Sequence, residues 1–303
     1  MPNSQLAPVH RYLWAQGPVS APLAPGSYLA QRYQVIDFPL LLDTQPHSPP
    51  PPLSAVPVAA APYLALSPFS ITVPRPFTQV THPDGKTPLL LLEEVPLQGL
   101  NAPSATPTLL PTLAAQWPTA SALEQLSWLW QLAKLWESCR EQQVAHCLLD
   151  EDTVRVDGED IRLLSLQVRN ASPTLVDLGK HWQALVKTAA PAIQPYLTRL
   201  TERLIDGQLP VRELVYSLVQ ALAHQSAQQR LQVQLATYSD QGPTRQRNED
   251  ACFPPSGTAQ TIAAAPPPES APLVVVCDGV GGHEGGDVAS HSAIAEVTRQ
   301  LKT

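Results

Sequence analysis

The residues best suited to chemistry lie in two short stretches near the C-terminal end. SDQGPTRQRNED (Ser239–Asp250) sets Arg245 and Arg247 beside the acidic pair Glu249 and Asp250. Further on, PLVVVC reads as a buried strand that ends at Asp278 and runs into GVGGHEGGDVAS, a glycine-rich turn leading into a helix. A strand that delivers an aspartate at its end puts a carboxylate at the rim of a sheet. Glycines after it let the backbone turn sharply and expose a peptide carbonyl. Carboxylates with a carbonyl oxygen suit a hard cation such as Mg²⁺ or Mn²⁺. A nearby arginine adds a planar fork for a phosphate. Together these groups point to metal-assisted phosphoester hydrolysis.

Other chemistries fit the same residues less well. GVGGHEGG could cradle a nucleotide, but no GK[ST] follows, and Asp278 stands where it would repel a phosphate. NED alone would be a solvated acidic turn. It gains meaning only alongside Arg245 and Asp278.

SDQGPTRQRNEDA followed by VVVCDGVGGHEGGDVAS resembles the two N-terminal motifs of the PPM/PP2C-type serine/threonine protein phosphatases in their bacterial form. The resemblance runs from about Leu231 onward, less than a quarter of the chain. It implies an αββα sandwich holding two Mn²⁺ or Mg²⁺ ions between its sheets. By that resemblance Asp278 is the catalytic, metal-bridging carboxylate, and Gly279 offers its carbonyl to one metal. Glu249 and Asp250 hold metal directly or through water, and Arg245 binds the substrate phosphate. Water activated by the metals attacks phosphorus without a phospho-enzyme. The position after Asp278-Gly279 is Val280, so the histidine acid proposed for some eukaryotic members has no counterpart. His283 reads as turn-stabilising, and His291 as a surface or core residue. The family's remaining metal-binding aspartates belong to downstream DG and DN motifs. The expectation is therefore a fragment with an incomplete ligand set and little activity of its own.

The elements that position these residues begin with LQVQLATYSD, whose alternation of Leu231, Val233 and Leu235 with Gln232 and Gln234 predicts a half-buried strand. It follows a polar connector at residues 226–230. Residues 254–272 read as a Pro/Ala-rich loop. Upstream, helices are expected over Leu175–Thr188, Pro195–Ile205 and Pro210–His224. Ser121 should cap a further helix with Leu123, Leu126, Leu129, Trp130, Ala133 and Trp136 on one stripe. Asp157-Gly158 predicts a hairpin between Thr153–Val156 and Ile161–Leu166. Tyr28–Phe38, Leu64–Val73 and Pro88–Val95 read as strands, with a turn at HPDGK. Residues 46–62, with SPPPPL at their heart, read as an extended, solvated polyproline II linker. No charged residue flanks the run to orient it as an SH3-type ligand.

Residues 28–225 also resemble a protein kinase. RYQVI (Arg32–Ile36) is similar to the first strand of a bacterial kinase, LLLLEEVPLQGL to a hinge, and VAHCLLDEDTVRVDGEDIRLLSL to a catalytic loop with the hairpin behind it. The catalytic groups are missing. Leu148 stands at the HRD aspartate position, Thr153 at the metal-binding asparagine and Ser165 at the DFG aspartate. No glycine-rich loop or strand lysine is found, so the resemblance implies a pseudokinase that cannot transfer phosphate.

The fold class expected is α+β. A Pro/Ala-rich segment at 1–27 precedes a two-lobed kinase-like domain at 28–225, and the first part of a PP2C sandwich follows at 231–303. The function expected is a protein serine/threonine phosphatase acting on a phosphoprotein, with a regulatory protein partner met through the kinase-like domain. The alternative is a non-catalytic scaffold carrying a relic phosphatase segment. Composition bounds both readings. The 303 residues carry a net charge of −7, with 19 basic and 26 acidic residues, which disfavours a nucleic-acid partner. Four scattered cysteines form neither a disulfide framework nor a zinc site. No signal peptide or apolar run of membrane-spanning length is seen, so a cytoplasmic protein without membrane association is expected. The 34 prolines must sit in linkers, turns and helix starts.

Overall fold

The computed structural model describes residues 10–19, 21–50, 52–53, 55–100, 106–229, 231–243, 247–264, 273–279 and 285–301. The chain divides into two compact units, residues 1–222 and 223–303.

The first unit is mixed α/β and is built on a curled antiparallel sheet. Its strands are β1 (Arg11–Gln16), β2 (Tyr28–Leu29), β3 (Tyr33–Asp37), β4 (Leu40–Asp43), β5 (Arg75–Thr81) and β6 (Pro88–Glu93), in the order β2-β3-β4-β1-β6-β5. β1 comes from a segment that reads as irregular by composition, yet it lies in the middle of the sheet. Leu13 and Ala15 alternate into the core while Tyr12 and Trp14 stay half-buried. The expected strand Tyr28–Phe38 is two strands instead. The chain turns at Ala30 and Gln31, both with positive φ (47° and 56°), and β3 returns beside β2.

Leu64–Val73 is not a strand. It begins in helix α1 (Ala61–Ala65) and contains a 3₁₀ turn at Ser67–Phe69. Pro62 and Pro68 each sit in a first helical turn, where their missing N–H costs nothing. HPDGK is the β5–β6 turn, held by the Asp84 carboxylate, which accepts from the Lys86 and Thr87 amides at 2.8 Å.

After the short pair β7 (Leu97–Gln98) and β8 (Thr108–Leu109), the unit becomes helical: α2 (Leu113–Gln116), then α3 (Ala122–Glu141). Ser121 and Glu124 close a capping box on α3. Trp128 and Trp136 are buried on it and Trp130 half-buried. The helix is therefore covered on more than one side, as three tryptophans in nine residues suggest. The predicted hairpin is β9 (Val154–Asp157) with β10 (Asp160–Leu163). Trp128 Nε1 donates to Gly158 O at 3.0 Å, and Gln131 Nε2 donates to Glu159 O at 2.7 Å, pinning the turn to α3. Helices α4 (Leu175–Val186), α5 (Gln194–Ile205) and α6 (Val211–Ser226) follow within a residue or two of the sequence expectation. α4 and α5 touch at Gly179, where a Cβ would meet Leu204 Cβ at 2.8 Å.

One polar knot ties the sheet to the helical part of this unit. The hydroxyl of buried Tyr63 on α1 donates to Gln16 Oε1 on β1 and accepts from the Leu166 amide at 2.7 Å. Gln16 Nε2 donates to Leu166 O. Burial pushes the Tyr63 phenol far above its usual range, so it is neutral at any physiological pH. Tyr63→Phe leaves the buried Leu166 amide without this acceptor. It should cost roughly 2 kcal/mol in a urea unfolding curve; a change under half of that would mean water replaces the hydroxyl.

Residues 46–62 are not a free linker throughout. Pro51 and Ser54 lie outside the described residues, and the stretch begins under a clamp. Buried Arg32 makes a two-pronged bond to Asp43 at 2.7 and 2.8 Å. The same guanidinium donates to the carbonyls of Gln45, Ser48 and Pro49 at 3.0, 2.6 and 3.0 Å.

Among the described residues the second unit shows two antiparallel ribbons and one helix. β11 (Leu231–Ala236) pairs with β13 (Ala259–Ala264), and β12 (Ala251–Phe253) pairs with β14 (Val275–Cys277). β13 falls within the stretch read as a Pro/Ala-rich loop. Its TIAA segment is short and weakly patterned, and strand pairing with β11 overrides its low propensity. Residues 265–272, the rest of that loop, lie outside the described residues. Helix α7 (Gly286–Leu301) packs on β12 and β14. No helix among the described residues is long and apolar enough to cross a membrane.

Candidate functional site

The β12–β14 ribbon decides where the acidic residues meet. Its register sets Ala251 opposite Cys277, Cys252 opposite Val276 and Phe253 opposite Val275. Side chains alternate across a strand, so Ala251, Phe253, Val275 and Cys277 share one face. That face carries the buried Ala251, and Cys252 and Val276 take the other. The strand expected to be buried is open on one face: Val274 and Val276 are 47% and 77% exposed. Only a two-stranded ribbon is formed here, so nothing covers the second face among the described residues.

One step beyond the Ala251/Cys277 rung stand Asp250 and Asp278, both exposed. Residues 28 apart in sequence are thereby brought side by side. Two like charges placed across neighbouring strands destabilise the pair. The Gly279 amide offsets part of this by donating to Asp250 Oδ1 at 3.3 Å. A divalent cation would offset more.

Gly279 itself has no room for a side chain. A Cβ there would fall inside the contact distance of the Glu249 carbonyl oxygen. It would also lie 2.9 Å from Gly286 O and 3.0 Å from the Glu249 carbonyl carbon. Thus the glycine after Asp278 is required by a close approach of two backbones, the acidic Glu249-Asp250 stretch and the start of α7. Glu249 takes part through its main chain, and its side chain is half-buried.

Asn248 braces the same stretch, and sequence reading passed over it. Its Oδ1 accepts from the Asp250 amide at 3.1 Å, and its Nδ2 donates to Ser239 Oγ at 2.8 Å. Ser239 N in turn donates to Ser256 Oγ at 2.8 Å. The available signal is the N-x-D spacing of RNED, since asparagine often bonds the amide two residues on. The serine partners lie too far away in sequence to be inferred.

Arg245 lies outside the described residues, as do Val280, His283 and the rest of residues 280–284. His291 is exposed on α7, its Nδ1 bonded to Asp287 O at 2.8 Å. Among the described residues no group of three or more His, Cys, Asp or Glu side chains gathers as a metal cage. Two exposed carboxylates and the Gly279 peptide do fit a hydrated Mg²⁺ or Mn²⁺, which commonly keeps several waters and takes only one or two carboxylates. They do not amount to a closed site for two metals. The four cysteines are free thiols: Cys139 and Cys147 are buried, Cys252 and Cys277 half-buried. Burial pushes the Cys139 thiol up to about 12, which keeps it inert.

In the first unit the residues at the kinase-like positions carry no catalytic charge. Leu148 is fully buried in the core, and Thr153 is also buried. Between the sheet and the helical part, the neutral Gln16–Tyr63–Leu166 knot occupies the junction. Compared with protein-family models and with curated proteins, the chain matches none.

Proposed function

We propose that the second unit carries the opening part of a PPM/PP2C-type phosphatase site, for hydrolysis of phosphoserine or phosphothreonine in a protein. The observation that carries this reading is the pairing of β12 with β14. It brings Asp250 and Asp278 to one end of a ribbon while Gly279 packs on the backbone of Glu249. Bound Mn²⁺ or Mg²⁺ would supply charge neutralisation and an activated water. The chain's own residues hold the ion and fix its position: Asp278 and Asp250 as carboxylate donors, the Gly279 amide as the group orienting Asp250, and Asn248 as the brace beneath. Arg245 is assigned to the substrate phosphate by its place in the motif alone.

The test reads metal binding first. Titration of Mn²⁺ into the whole chain, followed by the loss of the free-ion EPR signal, should show weak binding that falls at least about tenfold in Asp278→Ala. Hydrolysis of p-nitrophenyl phosphate should be slow, require Mn²⁺ and disappear in the same variant. Equal Mn²⁺ affinity in the two proteins would end the phosphatase reading.

For the first unit we infer a degenerate kinase-like regulatory domain. Support comes from a strand-rich part preceding a helical one, and from a buried leucine at the position of the catalytic aspartate. Kinase chemistry needs carboxylates and an amide to hold Mg²⁺, and Leu148, Thr153 and Ser165 supply none. Mg-ATP at millimolar concentration should leave the melting temperature of the protein unchanged within about 1 °C. A clear upward shift would restore nucleotide binding to this domain.

A further inference from the structure

In the first unit, α3, the β9–β10 turn and the segment that follows the 3₁₀ turn at Ser67–Phe69 enclose a groove of about 320 Å³. Half-buried Phe69 and Trp130 line it, and Ile71 stands at its edge, 68% exposed. Lys134, Glu159 and Asp160 border the same groove, and all three are exposed. Lys134 Nζ lies 4.6 Å from the centre of the Trp130 ring. Among the described residues none of these three charges forms an ion pair.

The walls are firmly held. Gln131 Nε2 donates to Glu159 O at 2.7 Å, and Gln131 Oε1 accepts from the Ile161 amide at 3.1 Å, so the acidic turn is fixed on α3. On the other side the Val73 amide donates to Phe69 O at 2.9 Å, and the Leu163 amide donates to Thr72 O at 2.7 Å. Ile71 is thus held out between bonded neighbours. A surface that meets its own copy across a two-fold axis must carry both halves of every contact. This one does: an aliphatic knob beside an aromatic recess, and a cation beside two carboxylates. A partner of one charge sign would leave part of that set unmatched.

We propose that this groove is the contact surface of a symmetric dimer formed by two copies of the chain. Ile71 of one copy enters the recess between Phe69 and Trp130 of the other. Lys134 leaves its own indole for the carboxylates of Glu159 and Asp160 on the second copy, which uncovers the ring that Ile71 packs against. An exposed ammonium–indole contact is weak enough to be exchanged in this way. Burial of Ile71 and the indole supplies the attraction, and the charges set the orientation. A contact of this extent gives a weak, concentration-dependent dimer.

Sedimentation of the whole protein from about 5 to 500 µM should show a monomer passing into a dimer. Ile71→Asp should weaken that dimer at least about tenfold. Lys134→Glu should do the same, and so should the double variant Glu159→Lys/Asp160→Lys, because each sets like charges face to face on both sides of the axis. Mixed in equal amounts, the two charge variants should form a dimer within about threefold of the wild-type affinity, since every pair is then opposite in sign. Circular dichroism and melting temperature of each variant should match wild type, because all four substituted side chains are exposed. A protein that stays monomeric at the highest concentration, or a mixture no tighter than its components, would overturn the proposal. So would a dimer indifferent to these substitutions, which would place the association on another surface, such as the open face of the β12–β14 ribbon.

Discussion

Gly279→Ala is expected to be the most damaging single-methyl change in the second unit. The added carbon would meet backbone on both sides, the Glu249 carbonyl and the Gly286 carbonyl, neither of which can rotate away as a side chain could. To make room, β12 and β14 must separate at the Asp250/Asp278 end, or α7 must shift its first turn. Over-packing of this kind costs roughly 3 kcal/mol where the neighbours cannot yield. A unit made of two-stranded ribbons has little stability to spare. Hydrogen exchange at the amides of Ala251, Cys252 and Val276 should accelerate by at least about a hundredfold. The first unit should keep its own exchange pattern. Mn²⁺ binding should fall with the ribbon, since both carboxylates depend on it for their approach. A variant whose ribbon exchanges as slowly as wild type would show that the close approach is not obligatory.

That result would bear on how much of the site was legible from residue types alone. Asp278 and Gly279 could be placed because a strand, an aspartate and a glycine-rich turn follow one another directly. Asp250 could be joined to them only by strand pairing across a long loop, which no local pattern encodes. Asn248 lay in plain sight, but its partner Ser239 is set by how the chain folds back. The exposed face of β14 departs from expectation because three consecutive valines read as a buried strand whether or not a second layer is present. In the first unit the helices were the easy part, with caps at Ser121 and prolines at helix starts. β1 was the hard part. A six-residue strand with two buried side chains carries little signal, and it pairs with β4 and β6, its partners far along the chain. Leu64–Val73 failed in the opposite sense. Its apolar run suggested a strand, while Pro62 and Pro68 favoured tight helical turns and prevailed.

Arg32→Met should cost the first unit about 3–5 kcal/mol, because it leaves the Asp43 carboxylate buried with its chief partner gone. Arg11, at 3.6 Å from Asp43 Oδ2, is too far and too exposed to replace the two-pronged bond. The same substitution should invert the response to acid. In the wild-type protein burial alone would push the Asp43 carboxyl up. The Arg32 bond, the Gln45 amide and the charges of Arg32 and Arg11 outweigh it, so the pKa ends below the ordinary 3.8. A carboxylate whose pKa is lower in the folded state contributes its full stability above the unfolded value. That contribution is lost as pH falls through the folded one. The wild-type contribution of Asp43 is therefore constant from pH 7 to about 5 and declines only below about 4. Without Arg32, burial dominates and the folded pKa lies above the unfolded one. Protonation then relieves the unpaired charge, and the variant gains stability as pH falls from 7 toward 5. Urea unfolding at pH 7, 6 and 5, followed by fluorescence of the buried tryptophans, separates the two cases. The gap between wild type and variant should narrow steadily on acidification. Parallel curves would mean that Asp43 finds another cation or water when Arg32 is removed, and that the clamp is held by its carbonyl contacts instead.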